Sequence, residues 1–218
     1  MPKSAFPYQL YLVISEADCR NSNYLKVAEQ AIRGGVDIIQ LREKNLTTEQ
    51  YTVKALRLKE ITDKYNIPLI INDSLETAMS VDAFGIHVGN NDKTPTEIRN
   101  VWKGCQSLGY SIECIEQLQN KETLTADCLG ISPVFNTVTK KDTIVEWGLD
   151  GITAIRSLTT KPLIAIGNIN LDNAEAVLKA GADCLAVVAA ICSAPHPEKA
   201  AYELKNKIIN YSGAPPTR

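Results

Sequence analysis

Gly130-Ile-Ser-Pro-Val-Phe-Asn-Thr-Val-Thr-Lys-Lys-Asp142 changes character halfway along. It opens inside a short apolar run, Cys128–Ile131, and proline follows at 133, which reads as a buried strand that stops. Thr137, Thr139, Lys140, Lys141 and Asp142 then supply two hydroxyls and two ammonium groups with no apolar period. Donors of that kind just past a strand end suit the oxygens of a phosphate or pyrophosphate group. The plainer alternative is a solvated polar loop. The choice depends on whether the rest of the chain repeats the same grammar of apolar strand and polar end.

Downstream it does. The pattern predicts a helix over 151–157, a strand over 162–166 closed by Gly167-Asn168, and a helix over 173–180 capped by Asn170 and ended by Gly181. A strand over 184–188 and a last helix over 197–209 follow. Upstream, strands are predicted over 10–14, 37–41, 68–71 and 85–88, with a weaker one over 107–110. Between them Leu25, Ala28 and Ile32 mark a helix over 24–33, and Thr47 with Gln50 forms a capping box for one reaching about 65. Short helices are expected over 75–80 and 115–120, and Thr94-Pro-Thr-Glu97 opens another that ends at Val101.

Eight strands thus alternate with helices, and the strands are apolar throughout, as parallel strands covered on both faces are. This predicts a single-domain (β/α)8 TIM barrel over residues 1–211, with 212–218 as a flexible tail. The competing architecture, an open doubly wound sheet, usually carries Gly-x-Gly-x-x-Gly after its first strand, and that fingerprint is absent.

The net charge of -2 gives no general basic surface, so nucleic acid is not an expected partner and any anion site must be local. No apolar run approaches the roughly 18 residues of a membrane helix, and residues 1–9 lack the apolar core of a signal peptide. The six cysteines form no Cys-x-x-Cys pair, and several lie in strand-like runs, which predicts reduced thiols and a cytoplasmic protein. Small molecules are the expected partners, and a homo-oligomer is compatible with the sequence.

In such a barrel the chemistry lies at the C-terminal strand ends. Those ends carry Arg42 and Lys44, Asn72 and Asp73, Asp92, Ser111, then Thr137, Thr139 and Lys140, then Gly167, and finally Val188 and Ala189. Asp73 and Asp92 would repel each other if bare. With anionic substrate oxygens they form a site for Mg2+, which prefers oxygen ligands. Arg42, Lys44 and Lys140 against two carboxylates, with a divalent ion added, bring the mouth to about +3, close to the charge of an ionised pyrophosphate. Gly167 and the backbone after the eighth strand occupy the place where many barrels hold a phosphate through amide N–H groups; a simple turn glycine is the alternative.

Gln40-Leu-Arg-Glu-Lys44, Ile71-Asn-Asp73, Gly85-Ile-His-Val-Gly89 with Asp92, the stretch Gly130 to Lys140 and Ala165-Ile-Gly167 together resemble thiamine phosphate synthase, in the order found there. The resemblance runs from Tyr11 to Ala194. It implies an enzyme that joins hydroxymethylpyrimidine diphosphate to hydroxyethylthiazole phosphate, giving thiamine phosphate and pyrophosphate by Mg2+-dependent dissociative substitution. On that resemblance Asp73 and Asp92 hold the metal, and Arg42, Lys44, Asn72, Ser111 and Lys140 grip the diphosphate. Gln40 orients the pyrimidine with Tyr11 and His87 near the ring. Thr137, Thr139, Gly167 and the amides around Val188 and Ala189 hold the thiazole phosphate.

Two positions depart from that pattern: Ala189 stands where a serine is frequent, and Asn168 where a second glycine is frequent. Taken without the resemblance, His87 in its apolar run reads as a core histidine, and Glu43 as a barrel-wall residue pointing away from the mouth. The rival functions are a thiazole tautomerase-like barrel and a non-catalytic barrel that binds a phosphorylated ligand. The first would need a histidine near the end of strand five, where Ser111-Ile-Glu113 stands; the second has no use for the carboxylate pair.

Overall fold

The computed structural model describes residues 6–20, 22–136 and 146–211. Its parallel strands β1 (Leu10–Ile14), β2 (Ile38–Leu41), β3 (Leu69–Asn72), β4 (Gly85–Val88), β5 (Ser107–Ile112), β6 (Cys128–Ile131), β7 (Leu163–Ile166) and β8 (Cys184–Val187) pair in sequence order, and β8 pairs back onto β1. Around them lie α1 (Tyr24–Arg33), α2 (Thr48–Lys64), α3 (Leu75–Ser80), α4 (Pro95–Val101), α5 (Lys121–Thr125), α6 (Gly148–Leu158), α7 (Ala174–Lys179), α8 (Ala189–Cys192) and α9 (Pro197–Tyr211). Closure through β1 and β8 makes this the expected (β/α)8 barrel and excludes the open sheet. The expected tail, 212–218, lies outside the described residues.

The strands are apolar on both faces because both faces are covered. Leu12, Ile39, Ile71, Ile86, Leu108, Leu129, Leu163 and Leu185 pack with the helices in one continuous buried cluster. The alternate residues Val13, Ile38, Ile70, Cys128, Ile164, Cys184 and Ala186 pack with Tyr11 in a second cluster. Complete burial of each large aliphatic side chain contributes about 1.5–3 kcal/mol. Nearer the C-terminal strand ends the register sets Gln40 beside Val13, Asn72 beside His87, His87 beside Gly109, and Ser111 beside Gly130. The second set of side chains is therefore apolar deep in the barrel and polar at its upper end.

The lower ends of the strands are tied by a repeated device. Asp37, Asp127 and Asp183 each directly precede a strand, and each accepts a backbone N–H of the preceding neighbour, from Leu10 (2.8 Å), Leu108 (2.7 Å) and Leu163 (2.8 Å) respectively. Each carboxylate also pairs with a cation on a surrounding helix, Lys205, Arg99 and Arg156 in turn. The same group thus sets strand register and docks a helix.

Several boundaries differ from expectation for local reasons. β5 runs through Ile112, so Ser111 is a strand residue; Gly109 and Ser111 weaken the apolar pattern because they share their side of β5 with His87. The helix expected over 115–120 is a 3-10 turn, Ile115–Gln119, after which the Asn120 side chain accepts from Thr123 N and starts α5. Asn170 caps the turn that leads into α7, as expected: its side-chain oxygen accepts from Asp172 N and its carbonyl from Ala174 N, while Asn173 Oδ1 accepts from Asn170 N. α6 begins at Gly148 and α9 continues to Tyr211. β8 ends at Val187, and Val188 turns the chain directly into the unexpected α8.

Candidate active site

A cavity of about 690 Å³ opens at the C-terminal ends of the strands. Tyr11, Gln40, Arg42, Lys44, Asn72, Asp73, His87, Asp92, Ser111, Gly167, Val188 and Ala189 all line it. Thr137, Thr139 and Lys140 lie outside the described residues. Also on its wall are Asp18, Asn90, Asn91, Glu113, Ser132 and Asn136, which the sequence reading did not single out. Asp18 follows β1 in a polar segment and Asn90-Asn91 follow β4, so position past a strand end was the available signal. Glu43 is absent from the wall and instead accepts from Glu16 N (2.9 Å) and Lys54 Nζ (3.0 Å).

The floor is built from side chains on the strands. Gln40 Nε2 donates to Tyr11 Oη at 2.9 Å, and both residues are buried. His87 is half-buried rather than enclosed in the core, with Nε2 3.0 Å from Ser111 Oγ. Its ring occupies space that glycines leave: a Cβ at Gly109 would stand 2.3 Å from His87 Nδ1, and one at Gly130 would stand 2.8 Å from Cε1. Val13, Ile164, Ile166, Ala186 and Val188 supply an apolar wall suited to a flat ring.

Opposite charges meet at the ends of β2, β3 and β4. Asp73 follows β3 at φ +63°, in the left-handed region that Asp and Asn tolerate best among residues with a Cβ. Asp92 Oδ2 accepts from Gly89 N at 2.8 Å. Burial in the concavity, then the charge of Asp92 and a hydrogen bond to it, push the Asp73 carboxyl from 3.8 up to about 7, while Arg42 and Asn72 pull the other way. The Asp73 residue is nonetheless exposed to solvent at the mouth, which limits the share of desolvation and leaves the neighbouring carboxylate a main cause. A pair in this state takes up either a proton or a cation, and its all-oxygen donor set fits a hard divalent ion. Among the described residues no group of three or more His, Cys, Asp and Glu is assembled for a metal, so water or ligand oxygens would complete the coordination.

The far side is backbone. Gly167 has φ +121° and Asn168 φ +51°, so the asparagine adopts the left-handed conformation expected of a glycine replacement. A Cβ on Gly167 would stand 2.7 Å from Pro133 Cβ and from Val134 N, which brings the loop after β6 against the end of β7. Val134 N donates to Ile166 O at 2.8 Å and Phe135 N to Gly167 O at 3.3 Å, strapping the two together. Ala189 and Ala190 are the first residues of α8, where backbone N–H groups have no carbonyl within the helix to bond.

The family model described as thiamine monophosphate synthase matches residues 10–191. A thiamine-phosphate synthase of Albidiferax ferrireducens is 42% identical over 200 residues, covering 92% of this chain and 91% of the relative. One of Chloroflexus aurantiacus is 39% identical, with 91% of each chain covered. A solved structure of thiamine phosphate pyrophosphorylase from Pyrococcus furiosus superposes with a TM-score of 0.86 at 30% identity, covering 95% of this chain and 98% of that one. With a family model that matches residues 10–191 and relatives that match nearly end to end, the chain belongs to the thiamine monophosphate synthase family.

Proposed function

We propose that the protein joins hydroxymethylpyrimidine diphosphate to hydroxyethylthiazole phosphate, releasing pyrophosphate and forming thiamine phosphate. The observation that carries this reading is the placement of Asp73, Asp92 and Arg42 together on the wall of one cavity, close enough for each to act on the Asp73 carboxyl, with backbone on the other side. Asp73 and Asp92 would hold Mg2+, which, when bound, offsets negative charge gathering on the departing diphosphate.

The residues divide the work. Arg42, Lys44 and Lys140 supply fixed positive charge to the leaving group, and Asn72 and Ser111 supply hydrogen bonds to its oxygens. Gln40, fixed by Tyr11, orients the aminopyrimidine, and His87 lies alongside. The bond from the pyrimidine methylene carbon to the diphosphate oxygen breaks first, its electron pair leaving with pyrophosphate. The electron-rich ring supports the resulting methylene cation. The thiazole nitrogen then donates its lone pair to form the new carbon–nitrogen bond. Thr137, Thr139, Gly167 and the amides about Val188 and Ala189 hold the thiazole phosphate so that this nitrogen is already in place, a proximity effect. No side-chain nucleophile takes part.

Among the described residues no helix is long and apolar enough to cross a membrane. All six cysteines are free thiols and five are buried, which supports action in the reducing cytoplasm. Incubation with both substrates and Mg2+ tests the reaction: thiamine phosphate and pyrophosphate should appear in equal amounts. Consumption of neither substrate would reject it.

A further inference from the structure

We infer that Asn90, clamped by Tyr110 and Gln117, is the positioning residue that sets Asp92, so that releasing the clamp weakens divalent-cation binding while sparing the thiazole-phosphate end of the cavity. The inference rests on the carboxylate-pair reading above. Asn90 Oδ1 accepts from both Tyr110 Oη and Gln117 Nε2, which uses both lone pairs of the oxygen. Its Nδ2 donates to Ser111 O at 3.4 Å. All three partners come from β5 and the 3-10 turn after it, so the loop of residues 89–92 is fastened to the neighbouring strand.

The clamp is itself fixed. Tyr110 is 6% exposed and belongs to the core cluster beneath the helices. Gln117 Oε1 accepts from Glu113 N at 2.6 Å and Cys114 N at 3.0 Å, which leaves only its Nε2 to face Asn90. Within the loop, Asp92 Oδ2 is taken by Gly89 N at 2.8 Å, next to the clamped residue, so the placement of Asn90 carries directly to the carboxylate. Asn90 and Asp92 line the cavity, whereas Tyr110 and Gln117 do not. The two clamping side chains can therefore be altered without touching a ligand.

The test compares the parent with Tyr110→Phe and with the double variant Tyr110→Phe/Gln117→Met, both of which keep side-chain bulk. Free Mn2+ is followed by electron paramagnetic resonance, with and without pyrophosphate, and hydroxyethylthiazole phosphate binding is measured by calorimetry. Loss of the Tyr110 hydrogen bond should raise the Mn2+ dissociation constant roughly two- to threefold, and the double variant, which loses both clamping bonds and those Gln117 accepts from Glu113 N and Cys114 N, roughly five- to tenfold. Hydroxyethylthiazole phosphate affinity should stay within about twofold. Equal losses for both ligands, in the single and the double variant, would reduce the clamp to a general structural role and overturn the inference. Parent-like Mn2+ affinity in the double variant would overturn it while leaving the carboxylate pair intact. A parent protein that takes up no Mn2+ in either condition would overturn the pair reading and the inference with it.

Discussion

Asp73 and Asp92, on the loops that leave neighbouring strands β3 and β4, line the same cavity mouth, where the charge of Asp92 helps to raise the Asp73 carboxyl. A proton or a cation offsets the repulsion between two carboxylates placed in this way. This gives the metal-free protein a definite pH dependence. Asp73 is raised from 3.8 to about 7, so the folded chain retains a proton that the unfolded chain has released. The contribution of this site to stability is present below about pH 4 and is lost as pH rises to about 7. In chelator, the melting temperature of the parent minus that of Asp92→Asn should fall across this window. A difference that rises with pH would have the wrong sign.

The backbone at Asp73 allows charge and conformation to be tested separately. Its φ of +63° suits Asn at least as well as Asp, whereas Ala there costs about 1–2 kcal/mol. Without metal near neutral pH, Asp73→Asn should melt at or above the parent, because it removes the repulsion. Asp73→Ala should melt below Asp73→Asn, and both should lose metal-dependent activity. Equal melting of the two variants would show that the left-handed conformation is relaxed in the substituted chain.

His87 depends on two missing side chains. A methyl group at Gly109 would reach within 2.3 Å of its ring, so Gly109→Ala should displace the imidazole from Ser111 and cost about 1–3 kcal/mol. In the His87→Ala background the same change should cost much less, because the obstacle is gone. Denaturant unfolding of the four proteins in the cycle measures the coupling. Additive losses would place the strain elsewhere, for example in the strand backbone.

The buried hydrogen bond from Gln40 to Tyr11 predicts a separate kinetic effect. Tyr11→Phe leaves Gln40 Nε2 without this acceptor, at a cost of about 1–3 kcal/mol, and frees the carboxamide to turn. Initial-rate kinetics should show a higher KM for the pyrimidine diphosphate with the KM for the thiazole phosphate unchanged. A matching rise in both would make the pair a scaffold contact only.

The architecture was legible because a parallel strand covered on both faces is written as a continuous apolar run, and its polar successors mark one rim. Capping boxes at Thr47 with Gln50 and Thr94 with Glu97 were equally readable, since each is complete within four residues. The fifth strand was read as ending at Ser111, short of Ile112, because a strand that faces a histidine is small and polar on that face. The Asn170 cap was readable as well, and Asn173 returns a hydrogen bond to its backbone N–H. The clamp on Asn90 joins residues 20 and 27 positions apart, and the ties made by Asp127 and Asp183 span 19 and 20. No local pattern encodes such pairs. The site was readable as a set of strand ends, whereas the contacts that aim its side chains required the closed barrel.

Calorimetric titration of pyrophosphate into the parent and into Asp73→Asn, each with and without Mg2+, addresses the central claim most directly. The carboxylate pair and its neighbouring cations predict that Mg2+ strengthens pyrophosphate binding at least tenfold in the parent, equivalent to about 1.4 kcal/mol, and has little effect in the variant. Equal strengthening by Mg2+ in both proteins would contradict the assignment of the rim between β2 and β4 as the diphosphate site.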